Sequence, residues 1–73
     1  MAVTRSEWLV RMGEVLSVDP PTPDEVEVLL DIAGVAAHAS ERTAAPLTCW
    51  MVARAGVNPR EAAMLVLSAA DVE

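Results

Sequence analysis

The residues able to do chemistry in this sequence gather in one stretch, from Asp31 to Cys49. Asp31, His38 and Arg42 are spaced seven and four apart, so on a helix they share a face, and Glu41 follows His38 by three. Thr43, Thr48 and Cys49 come next. A metal needs three or more convergent ligands, for which Asp31, His38, Glu41 and Cys49 are the candidates, without a recognised spacing. Nucleophilic catalysis needs Cys49 as a thiolate beside His38, helped by the dipole of a helix opening near Pro46. No oxyanion arrangement or cleft accompanies that pair, and a cysteine next to Trp50 reads more simply as a small buried hydrophobe. Anion recognition needs Arg42 and Thr43 beside free N–H groups at the start of a helix. A purely structural role has Arg42 capping the carbonyls that end the preceding helix and His38 hydrogen-bonding across the loop. The stretch is read as a recognition surface of Asp31, His38, Glu41, Arg42, Thr43 and Thr48, with no catalytic residue, metal site or cofactor assigned.

Helices must position these residues. Thr4-Arg5-Ser6-Glu7, Thr22-Pro23-Asp24-Glu25 and Asn58-Pro59-Arg60-Glu61 each put a short oxygen-bearing side chain at an N-cap and a Glu three residues on. That pattern satisfies orphan helix donors reciprocally, and Pro is tolerated at the first helical position. After the first cap, Trp8, Leu9, Met12, Val15 and Leu16 form an apolar stripe, so helix one covers about residues 5–16. Pro20-Pro21 enforces an extended connector. Helix two, about 23–40, carries Val26, Leu29, Leu30, Ala33, Ala36 and Ala37 on one side. Pro46 opens a third helix whose buried face is expected to hold Leu47, Trp50 and Met51, and Gly56 closes it as a left-handed cap. Helix four runs from about 59 to 70. The expected fold is all-α: one domain over 1–73, a compact bundle of four short helices with short loops.

Composition narrows the function. Seventy-three residues make one small core, in which burial and chain entropy nearly cancel, so marginal stability, or a partner, is expected. With Phe and Tyr absent and thirteen alanines, the core must draw on Val, Leu, Ala, Met and the two tryptophans. One cysteine excludes an internal disulfide and, with one histidine, a Cys/His zinc site. The longest apolar runs are four residues, far short of the roughly 20 needed to span a bilayer. Charges at Arg5, Glu7, Arg11 and Glu14 interrupt any targeting segment, which makes the cytoplasm the expected location. A net charge of −6, with five arginines and no lysine, opposes nucleic-acid binding.

Helices three and four, joined by a Gly-containing corner, have the outline of a helix-turn-helix. The would-be reading helix, Arg60-Glu61-Ala62-Ala63-Met64-Leu65-Val66-Leu67, has almost nothing able to bond base edges. Its apolar residues run nearly all round, so it is the central helix, or its surplus is tolerated exposure, or it is a docking or dimer surface with Met64 and Leu67 as contact candidates.

The run Leu29-Leu30-Asp31-Ile32-Ala33, then Ala36-Ala37-His38-Ala39 and Glu41-Arg42-Thr43-Ala44-Ala45-Pro46-Leu47-Thr48, resembles a small family of bacterial helical domains of unknown function. That family carries an "LLDLAR-VAH-xxER-xAAPLTxFL-G" stretch and occurs alone or fused to proteins similar to molybdenum cofactor guanylyltransferase. The matching positions include Asp31, His38, Glu41, Arg42, Pro46, Thr48 and Gly56, and the resemblance covers nearly the whole chain. Departures fall at Gly34-Val35, where Arg-Asp is usual, and at Cys49-Trp50, where Thr-Phe is usual. The missing Arg weakens an anion-binding role. No Gly-rich phosphate loop is present, and the chain is too short for the α/β sheet of a nucleotidyltransferase. The resemblance implies a non-catalytic accessory module that docks onto a molybdenum-cofactor biosynthetic protein or a molybdoenzyme. Alternatives are a module binding a phosphate-bearing pterin or nucleotide, and a homo-oligomeric structural domain.

Overall fold

The computed structural model describes residues 2–71. It contains four helices, α1 (Arg5–Leu16), α2 (Pro23–Ala39), α3 (Ala44–Ala55) and α4 (Pro59–Ala70), and no strand among the described residues. The all-α architecture with short loops follows the pattern of caps and breakers in the sequence. No helix is long and apolar enough to cross a membrane among the described residues.

The caps form for the reasons their residues suggest. Thr4 Oγ1 accepts from the Glu7 N–H at 3.1 Å, while the Glu7 carboxylate accepts from the Thr4 N–H at 2.8 Å. Thr22 and Glu25 repeat the exchange at 3.2 and 2.8 Å. The third start forms only half of the box, because Asn58 Oδ1 accepts from the Arg60 N–H at 2.9 Å and Glu61 does not reach back. Gly56 adopts φ 72° at the end of α3, the left-handed cap expected of it.

α3 begins two residues before Pro46. The N–H of Ala44 donates to the Glu41 carbonyl at 2.9 Å and that of Ala45 to the Arg42 carbonyl at 3.2 Å, a tight turn that leads into the helix. Pro46 then falls at the third helical position, where an N–H still has no intrahelical acceptor, so its ring is tolerated.

α2 is the central helix. Cys49 of α3 lies against the Leu29 carbonyl, and Arg60 of α4 lies 3.8 Å from Asp24, so α3 runs antiparallel to α2 and α4 parallel to it. α3 and α4 both pack on α2 without packing extensively on each other, and α1 packs extensively on no helix. The result measures 42 × 27 × 18 Å. α1 instead meets its own connector. Ser17 turns left-handed at φ 58°, the N–H groups of Ser17 and Val18 both donate to the Gly13 carbonyl, and a Cβ on Gly13 would lie 2.8 Å from the Val18 carbonyl oxygen.

The core is thin. Ile32, Ala36 and Ala62 are the buried apolar side chains, and Ile32 is the one large side chain fully enclosed among the described residues. Three sequence expectations need correction here. Leu47, Trp50 and Met51 are not the buried face of α3: they are 64%, 59% and 64% exposed. Neither tryptophan joins the core, since Trp8 is also exposed. On α2, Leu30 faces outward while the rest of the expected stripe is covered or half-covered. The covered face of α3 is instead Ala45, Thr48, Cys49 and Val52, with Cys49 against the Leu29 carbonyl of α2, and side chains this short suit close helix packing that an indole would not fit.

Three substitutions test this packing and its helix caps. Ile32→Ala removes the one enclosed large side chain and costs about 2–5 kcal/mol, enough to unfold a domain this small, read as loss of a cooperative melt. Thr22→Ala, at the cap of the central helix, costs about 1 kcal/mol and lowers Tm by roughly 4–8 °C. Thr4→Ala, on the unpacked α1, raises amide exchange in α1 and leaves Tm nearly unchanged. The pH dependence of α1 has a defined sign. The Thr4 N–H, and then its hydroxyl, hold the Glu7 carboxyl below its ordinary 4.5. Protonation therefore favours the unfolded helix start, and the contribution is present above 4.5 and lost as pH falls through the lowered value. Carboxyl shifts of Glu7 against α1 amide exchange measure it.

Candidate functional site

The chemistry-bearing residues are spread over the surface. Asp31, His38, Glu41, Arg42 and Thr43 are exposed, and Thr48 is half-buried. The structure brings Asp31 and His38 to one shallow depression on α2, beside Leu30 and Gly34. His38 does not bond across the loop. Its Nδ1 lies 2.7 Å from the Gly34 carbonyl, one turn back on its own helix.

The helix-terminus half of an anion site has lost part of its donor set. Ala44 and Ala45 have committed their N–H groups to the Glu41 and Arg42 carbonyls, and Pro46 has none. Thr43 makes no side-chain cap. Arg42 makes no side-chain hydrogen bond or ion pair among the described residues, so it does not cap the end of α2 either.

Cys49 is partly buried, with Sγ 3.8 Å from the Leu29 carbonyl oxygen, and burial pushes its thiol above the ordinary value. That is the opposite of nucleophile activation. Leu29 and His38 are nine residues apart on α2, about 14 Å along the axis, so the thiol and the imidazole are not assembled into a pair. Among the described residues no group of three or more His, Cys, Asp or Glu side chains is placed to hold a metal.

The most apolar concave feature is elsewhere. Because α3 and α4 splay apart over α2, an open groove of about 530 Å³ lies between them. Val35 and Ala39 of α2 floor it, Met51 and Ala55 form one wall, and Leu65 and Ala69 form the other. Thr48 is the one candidate from the polar stretch that lines it, and no charged residue does. Beyond the α3 wall, Trp50 is exposed with the Arg54 guanidinium 5.1 Å from its ring centroid. Met64 and Leu67, the candidates named on helix four, are 73% and 53% exposed but face away from the groove. Leu65 was not singled out beforehand. Met51 and Ala55, like Leu65 and Ala69, repeat at i and i+4, and those paired spacings are the signal that marks two walls.

A search of curated proteins and a search of solved structures each give no match. A family model does match, over residues 2–72, and its description is a domain of unknown function. This coverage is nearly the whole chain, and the chain belongs to the DUF6457 family.

Proposed function

We propose that this domain is a non-catalytic interaction module that works by covering its apolar surface with protein. The observation that carries the reading is the apolar surface left open on both flanks of α4: the groove on one side, with Leu65 59% exposed, and Met64 and Leu67 on the other. Monomers seldom leave contiguous apolar surface of this kind uncovered. Large apolar side chains ringed by polar ones are the usual anchors of an interface, and Asp31 and His38 supply such a polar rim next to α4, beside Ala70. The partner class comes from the family resemblance: a molybdenum-cofactor biosynthetic protein similar to the guanylyltransferase, or a molybdoenzyme. The open, exposed placement of Asp31, His38, Glu41 and Arg42 suits a contact rim better than a reaction centre, which needs groups held in fixed, desolvated geometry.

Calorimetric titration with a purified guanylyltransferase-like protein tests the reading. The wild-type chain is expected to bind, and Met64→Ser with Leu67→Ser is expected to weaken binding by roughly tenfold or more while helix content stays unchanged. Absence of binding by the wild-type chain, or turnover of a substrate by the purified domain alone, overturns it.

A further inference from the structure

Among the described residues, two apolar surfaces have no helix packed over them. One is the groove between α3 and α4, walled largely by small side chains. The other is the stripe of α1, where Trp8, Val15 and Leu16 are 47%, 68% and 65% exposed and no residue is buried. We propose that the groove is filled by α1 of a second copy of this chain, and reciprocally, so that each half of the dimer becomes a complete four-helix bundle. The inference deepens the docking reading and rests on it.

The surface area favours a second copy. A folded monomer of 7.7 kDa exposes about 4300 Å². This chain exposes 5936 Å². The excess, on the order of 1500 Å² per chain, would bury on the order of 3000 Å² in a dimer, within the range of obligate homodimers.

Charge points the same way. α1 is neutral, with Arg5 and Arg11 against Glu7 and Glu14, and α4 is neutral through Arg60 and Glu61. α3 carries only Arg54. The acids Asp24, Glu25, Glu27 and Asp31 sit on α2, and none of them lines the groove. A neutral α1 therefore enters a groove with no charged side chain in its lining, although the whole chain is at −6.

Length and shape agree as well. α1, α3 and α4 are 12 residues each, about 18 Å. Large side chains of α1 would enter a slot floored by Ala36 and Ala39 and walled by Ala55 and Ala69.

A chain's own α1 is held at the wrong place for this. It sits beside Pro21, Pro23 and Val26 at the start of α2, pinned by Gly13 against its connector. The groove lies along Val35–Ser40, at the other end of α2. A two-fold exchange of α1 supplies the missing helix with no change in that connector.

Sedimentation of the full chain across concentration is expected to give twice the 7.7 kDa mass. Trp8→Ser with Leu16→Ser, and separately Leu65→Glu, are expected to weaken the dimer by roughly tenfold or more. All three positions are exposed in the single chain, so circular dichroism should show the helices retained. For the placement of α1, chains carrying Val15→Cys and chains carrying Ala69→Cys, each with Cys49→Ala, are mixed and oxidised. A cross-link between the two kinds of chain is expected. A monomer at all concentrations, or a dimer whose cross-links join only like positions, overturns the exchange. A monomer that still binds the guanylyltransferase-like protein leaves the docking reading standing. A dimer with the mixed cross-link that binds no such protein sustains the exchange and removes the cofactor-pathway partner.

Discussion

How closely α3 and α4 can approach α2 governs the rest of the molecule. The contacts are made by Ala33, Ala36 and Ala37 on one side and by Ala45, Cys49, Ala62 and Val66 on the others, with Ile32 enclosed between them. Axes separated by such short side chains leave little volume to fill. Leu47, Trp50, Met51 and Leu65 are therefore carried on the outer slopes of the helices, and the interior holds one large residue. A chain rich in apolar residues thus ends with much of that apolarity facing outward. Folding removes less surface from water than the composition would allow, and the remainder is available to a partner.

The same geometry disperses the residues that looked chemical. Asp31 and His38 ride on the exposed side of α2, while Cys49 turns toward its backbone. Among the described residues no charged or polar side chain is buried. An apolar groove without a charge in its lining recognises shape and hydrophobicity, which suits a helix face better than a phosphate.

Much of the local structure was legible in the sequence because it is decided within a few residues. Thr4 with Glu7 and Thr22 with Glu25 fix two helix starts through hydrogen bonds three residues apart, and both were visible as pairs of residue types. Gly56 needed only its own φ. The start of α3 was less legible, since Pro46 invites a helix that begins with it. The turn from Glu41 and Arg42 began it earlier and engaged the Ala44 and Ala45 N–H groups. Apolar spacing on α3 was ambiguous in a different way. Leu47, Trp50 and Met51 form one face and Ala45, Cys49 and Val52 another, and periodicity gives no rule for which face turns inward.

The sequence by itself determined four helices, their caps and breaks, the acidic balance and the concentration of acids on α2, because propensity, capping and charge act over one or two turns. Tertiary structure alone decided that the alanine faces, not the tryptophan faces, meet α2. It also decided that α3 and α4 splay to leave a groove and that α1 stays apart. Those outcomes depend on which surfaces fit together at a distance in the chain, where small side chains gain close contact along a whole helix and large ones are excluded by their volume.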